Sequence, residues 1–145
     1  MAIKEHPASG TILECDFSTG FEPPEMVKVR TVVVLSPKVK ARPGLCTVVC
    51  CSRTAPDPVM PYHARLDIVP PLPHPWSSDG VWIKGDMVYA VSFRRLSFIR
   101  LGKDRSGKRL YRYDALDARV MNEVRRCVLN GLGLGFLTKH LDERI

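Results

Sequence analysis

A chain of 145 residues, 45% hydrophobic and 26% charged, has the length and composition of one globular domain, 1–145, with a single core. No apolar run approaches the roughly 20 residues that span a bilayer as a helix, so no membrane-spanning helix is expected. The net charge of +7 favours polyanionic partners, such as nucleic acid or an acidic protein segment.

In chain order, the N-terminus lacks a charged start leading into an apolar run, so no secretory signal is expected and the cytoplasm is the default. Residues 10–17 predict a short strand. Residues 18–28, with Gly20, Pro23 and Pro24, read as a loop entering a β-branched strand over 29–36 that Pro37 closes. Arg42-Pro43-Gly44 marks a turn before a strand over 45–51 that ends in Ser52-Arg53-Thr54. Pro56, Pro58 and Pro61 force an irregular passage, and His63 to Val69 reads as another strand. Pro70, Pro71, Pro73 and Pro75 make a stiff loop through Trp76.

Gly80–Ile83 and Asp86–Val91 read as separate strand pieces broken at Lys84-Gly85. Ser97–Leu101 and Leu110–Tyr113 predict a late hairpin around a polar turn. A single helix follows, because Leu116, Val120, Val124 and Val128 recur at every fourth position, widened by Met121, Cys127 and Leu132. Asp114 is the expected N-cap, with Asp117 in the first turn and the helix ending near 130–134 among glycines. The expected fold is mainly β (α+β): a compact barrel or curled antiparallel sheet with a C-terminal helix.

Five cysteines at 15, 46, 50, 51 and 127 lack the spacing of a zinc site, and His6, His63, His74 and His140 lie in unrelated contexts. Buried thiols, no metal and no cofactor are expected. Gly102 to Lys108 fits the first seven positions of a phosphate-binding P-loop, but Arg109 stands where Ser or Thr would hold magnesium and no helix follows. A basic hairpin turn is the better reading. Tyr111 and Tyr113 alternate with Arg109 and Arg112, either to stack bases or simply as an edge strand.

Arg30 stands where one strand begins, and Ser52 where the next ends. If those strands are antiparallel neighbours, a guanidinium and a hydroxyl come side by side, a pairing suited to a phosphate. The alternative is a solvated edge arginine and a turn serine.

These same segments carry a resemblance. Gly10-Thr-Ile-Leu-Glu-Cys-Asp16-Phe17, Gly20-Phe21-Glu22, Arg30-Thr-Val-Val-Val-Leu-Ser36-Pro37, Thr47-Val-Val-Cys-Cys-Ser52, and Gly80-Val-Trp followed by Asp86-Met-Val appear in that order. Over roughly residues 9–135 the chain resembles the MazF/PemK toxins of bacterial type II toxin–antitoxin systems. That resemblance implies an SH3-like barrel with a C-terminal helix, a homodimer, and a metal-independent endoribonuclease that cuts single-stranded RNA through its own 2′-hydroxyl. It also implies a cognate antitoxin protein as partner.

By the same resemblance the catalytic arginine falls on Arg30, and the catalytic threonine falls on Ser52. Asp16, Phe17, Phe21 and Glu22 would cover the RNA and select bases, with Arg53 and Thr54 touching flanking phosphates. The chain departs from many members at Thr31 and Cys50, where they carry proline, and at Ser52, where they carry threonine. A non-enzymatic toxin or binding protein of the same fold, such as a gyrase poison or a weakened RNA binder, is the alternative.

Overall fold

Runs of Val, Ile and Leu that are apolar on both faces become the central strands, as expected where a strand is covered on each side. The computed structural model describes residues 3–38, 41–74, 76 and 80–144. It contains β1 (Ile12–Asp16), β2 (Val29–Val34), β3 (Leu45–Ser52), β4 (His63–Leu66), β5 (Val81–Ser92), β6 (Leu96–Phe98), β7 (Arg100–Lys103), β8 (Arg109–Tyr111) and the helix α1 (Ala118–Gly131). A 3-10 turn spans Phe93–Arg95, and a 3-10 helix spans Gly135–Arg144.

Hydrogen-bonded strands follow the order β4-β5-β3-β2-β1-β6, with β7 and β8 forming a separate two-stranded sheet. The class is the expected one, a mostly antiparallel sheet followed by a C-terminal helix. Of the two expected forms, barrel or curled sheet, the open sheet is the one found: among the described residues its order ends on β4 and β6.

The chain divides into two compact units, Met1–Val48 with Tyr89–Ala115, and Val49–Val88 with Leu116–Ile145. In the first unit β1 pairs antiparallel with β2, Cys15 opposite Arg30 and Asp16 opposite Val29. On its other edge β1 pairs with β6. Ile12, Leu13, Val32, Val33, Val34, Val48, Leu96 and Ile99 are fully buried there. The predicted late hairpin is redistributed. Leu96–Phe98 joins β1, and the hairpin proper is β7 with β8, beginning at Arg100.

In the second unit β4 pairs antiparallel with β5. The predicted break at Lys84-Gly85 is absent, since β5 runs unbroken through it. Gly85 serves a close approach instead. A Cβ on it would lie 2.2 Å from the carbonyl oxygen of Cys127, and one on Gly131 would lie 2.6 Å from the carbonyl oxygen of Gly85. Two glycines thus let the α1 backbone pack directly on the strand.

The cap of α1 also moves. Asp117, not Asp114, accepts the Val120 N–H at 2.9 Å, and Met121, Val124 and Cys127 turn inward. The Asn122 Nδ2 donates to the Leu141 carbonyl at 3.0 Å, tying the 3-10 helix to α1. Of the proline-rich loop, Pro75 lies outside the described residues.

Candidate functional site

The segment between β1 and β2 is built around an aromatic cluster. The rings of Phe17 and Phe21 meet edge to face at 5.0 Å, and each meets Tyr89, at 5.3 and 5.5 Å. The two edge-on pairs, Phe17 with Phe21 and Phe21 with Tyr89, each add about 0.5–1.5 kcal/mol beyond the area they bury. The Tyr89 hydroxyl accepts the Met26 N–H at 2.9 Å, and Phe17 donates its own N–H to the Lys28 carbonyl at 2.7 Å, closing the loop at its base. Lys28 makes the turn with φ at +70°, a left-handed conformation that costs a side-chain-bearing residue about 1–2 kcal/mol.

Arg95 clasps this loop from outside. Its Nη1 donates to the carbonyls of Asp16 and Thr19, both at 2.9 Å, and its guanidinium sits 4.7 Å from the centre of the Phe21 ring. Gly20 takes φ at +79°, and a Cβ there would lie 3.2 Å from the Arg95 Nη2. The positive φ favours glycine there, and a Cβ would also press on the end of the Arg95 side chain.

Of the predicted substrate contacts, Phe17 is fully buried and builds the loop's interior, whereas Phe21 is half-buried and Asp16 and Glu22 are exposed. The Asp16 carboxylate accepts the Ser18 hydroxyl and the Ser18 N–H. These bonds, with the side-chain bond from Ser18 as the main cause, hold its pKa below the usual carboxylate range. Glu22 donates its N–H to the Glu25 carboxylate at 3.4 Å.

Arg30 is half-buried near the start of β2. Its Nε donates to the Val27 carbonyl at 3.1 Å, which fixes the plane of the guanidinium. Among the described residues, its terminal nitrogens meet no acceptor and no carboxylate. A cation held at one nitrogen and open at the other two is suited to a two-pronged grip on an oxyanion.

Ser52, Arg53 and Thr54 belong to the second unit, at the end of β3. The Ser52 hydroxyl closes a tight turn, accepting the Thr54 N–H at 3.1 Å and donating to the Thr54 carbonyl at 3.0 Å. Its one proton is therefore already engaged, and contact with a phosphate requires the hydroxyl to rotate. Arg53 and Thr54 are exposed.

All five cysteines are buried. Burial pushes the thiols of Cys15, Cys51 and Cys127 up to about 12, so they are neutral packing groups and not nucleophiles. Among the described residues no group of three or more His, Cys, Asp or Glu is arranged to hold a metal ion. No described helix is long and apolar enough to cross a membrane.

Sequence reasoning missed Arg95 and Tyr89 as organisers of the loop. Arg95 reaches acceptors 79 and 76 positions away, and Tyr89 a donor 63 positions away. No local pattern marks such partners.

Three comparisons bear on this architecture. Residues 8–132 match the family of PemK-like, MazF-like toxins of type II toxin–antitoxin systems. An uncharacterized protein of Haemophilus influenzae is 32% identical over 150 residues, covering 94% of this chain and 98% of its own. Among solved structures, MazF of Deinococcus radiodurans (form I) aligns with a TM-score of 0.57 at 22% identity, over 90% of this chain and 99% of its own. A mycobacterial endoribonuclease in complex with its cognate antitoxin aligns with a TM-score of 0.56 at 16% identity, over 88% and 96%. At such identities the structures speak to the fold. The family match spans most of the sequence, and the chain is a member of the PemK-like, MazF-like toxins of type II toxin–antitoxin systems.

Proposed function

We propose that this toxin is an endoribonuclease acting on single-stranded RNA in the cytoplasm, with Arg30 as its principal charge-stabilising group. The observation that carries the reading is the Arg30 guanidinium, anchored through Nε and open at both terminal nitrogens among the described residues. It lies where the family resemblance puts the catalytic cation.

The reaction is attack of the RNA 2′-hydroxyl on the adjacent phosphorus. The bond to the 5′-oxygen breaks, leaving a 2′,3′-cyclic phosphate on one product and a 5′-hydroxyl on the other. Negative charge builds on the non-bridging oxygens, and a fixed guanidinium stabilises it without reorganisation. Ser52 contributes a hydrogen bond to the phosphate or to the 2′-hydroxyl, favouring in-line attack once it releases the Thr54 carbonyl. Release costs about 0.5–1.5 kcal/mol, small beside the gain from such a bond in the transition state.

The loop supplies base selection. Asp16, kept ionised by Ser18, and Glu22 accept hydrogen bonds from base amino groups, and the half-buried Phe21 offers a ring edge. Arg53 and Thr54 meet flanking phosphates. A cognate antitoxin protein is the expected partner, as a mycobacterial endoribonuclease of this fold is found in complex with its own antitoxin, and the active form is a homodimer. Leu132, Leu134 and Phe136 leave large apolar side chains exposed after α1, which supports a protein-binding surface there.

A substrate test isolates the chemistry. Replacing the 2′-hydroxyl at the cleaved nucleotide with hydrogen abolishes cutting at that bond while binding persists. Cutting that continues at the deoxy position contradicts the mechanism. Intact RNA with any substrate, together with trapped gyrase–DNA complexes, favours the non-enzymatic reading.

A further inference from the structure

The β7–β8 hairpin lies outside the loop and strand ends described above, and no role in the reaction accounts for its composition. Arg100, Lys103, Arg105, Lys108 and Arg109 stand along it, all exposed. Lys103 pairs directly across from Arg109, and like charges facing each other across a ladder destabilise it. Among the described residues none of these cations has a carboxylate within ion-pair distance.

The hairpin's single acid, Asp104, is consumed internally. Its carboxylate accepts the Ser106 N–H at 2.8 Å, the Ser106 hydroxyl at 2.7 Å and the Lys108 N–H at 2.9 Å. Gly107, at φ +87°, donates to the Asp104 carbonyl at 3.1 Å and completes the turn. The result is a tightly turned, unneutralised cationic ribbon.

At its root the ribbon carries an aromatic ledge. Tyr113 is 56% exposed, its ring edge-on to Phe98 at 4.7 Å and tilted against Tyr111 at 6.5 Å. The Arg112 N–H donates to the Ile99 carbonyl at 2.8 Å, fixing the ledge to the end of β6. Exposed aromatic faces beside a track of cations form the combination that holds unpaired nucleotides, with the charges on phosphates and the rings under bases. An acidic peptide would be met by the charges alone and gives the ledge no part.

We propose that the 100–113 hairpin is a backbone-tracking arm for single-stranded RNA, with Tyr113 as a stacking platform, distinct from the residues assigned to cleavage. The assignment rests on the endoribonuclease reading for the identity of the nucleic acid. It gives affinity without sequence preference, leaving selection to the 16–22 loop.

The test uses the full chain and a labelled single-stranded 2′-O-methyl RNA, which has no 2′-hydroxyl to attack, across a salt series. In the quadruple variant K103Q/R105Q/K108Q/R109Q, the slope of log affinity against log salt becomes shallower by about 3, at about 0.7 for each phosphate no longer neutralised. Affinity at low salt falls at least tenfold. Tyr113→Ala weakens binding roughly tenfold at every salt concentration, the scale of one stacked base. All five positions are exposed, and circular dichroism checks that the variants stay folded.

Unchanged affinity and slope in both variants overturn the proposal. So does retained RNA affinity alongside lost binding of a poly-glutamate peptide, which assigns the arm to an acidic protein partner. Cleavage of unmodified RNA is scored separately. A parent protein that fails to cut yet binds through the arm removes the nuclease reading and supports the arm.

Discussion

The guanidinium of Arg95 lies over the ring of Phe21, 4.7 Å from its centre, while its Nη1 holds the carbonyls of Asp16 and Thr19. One side chain thus fixes both the backbone and an aromatic of the loop proposed to read RNA. Removing it leaves two carbonyls to water and the Phe21 ring uncovered. Arg95→Ala should destabilise the loop by about 1–2 kcal/mol, the sum of a partly exposed cation–π contact and modest hydrogen bonds. Amide exchange at residues 17–22 reports it directly. Arg95→Lys should recover only part, since an ammonium lacks the planar fork. Exchange as slow as in the parent would contradict the clasp.

Ser52→Ala tests the hydroxyl assigned to the phosphate. Turnover is expected to fall by about 10²-fold, the scale of losing one transition-state hydrogen bond. Ser52→Thr should retain turnover or raise it, because the added methyl narrows χ1. The tight turn with Thr54 predicts a small stability loss in the alanine variant as well. An unaltered rate would remove Ser52 from the chemistry.

Gly85→Ala should destabilise the second unit by about 3 kcal/mol or more, because the new methyl meets the Cys127 carbonyl at 2.2 Å and neither backbone can yield cheaply. Gly44 provides the control. It has φ at +81° but open space around it, so Gly44→Ala should cost only the conformational strain, about 1–2 kcal/mol. Equal melting temperatures for the two variants would contradict the close approach of α1 to β5.

Acid should loosen the loop and the hairpin turn together. Asp16 and Asp104 both have pKa values lowered from 3.8, chiefly through side-chain bonds from Ser18 and Ser106. The unfolded chain therefore takes up protons at higher pH than the folded one, and this contribution is fully present above the unfolded value. It is lost as pH falls below 3.8 and through the lowered folded values. Carboxyl titration followed by NMR, with exchange at the Ser18 and Ser106 amides, checks the sign. Midpoints above 3.8 would contradict it.

Much of this architecture was legible in the residues. Val32 to Val34 and Val48 to Cys51 read as strands because β-branched and small apolar side chains leave few alternatives, and the exposed, glycine-containing turn at 102–108 followed from its polarity. The errors share a cause. Gly85 looked like a break because a glycine between strand pieces signals a turn locally, whereas its reason is a helix backbone arriving from far along the chain, at Cys127. Asp114 looked like the cap because Leu116 fitted the apolar stripe, yet Asp117 has the geometry to accept from Val120. Arg30 was legible as a candidate from its place on the strand, but its anchoring by the Val27 carbonyl depends on the loop's path. Arg95 was invisible as a clasp because its acceptors are distant in sequence.

The most direct test of the nuclease reading is cleavage of a labelled single-stranded RNA in EDTA by the parent protein and by Arg30→Ala. The expected products end in a 2′,3′-cyclic phosphate and a 5′-hydroxyl, with the variant slower by about 10²–10³-fold, the cost of removing one preorganised charge-stabilising group. A parent and an alanine variant that cut at the same rate, or products with the phosphate left on the 5′ side, would contradict it.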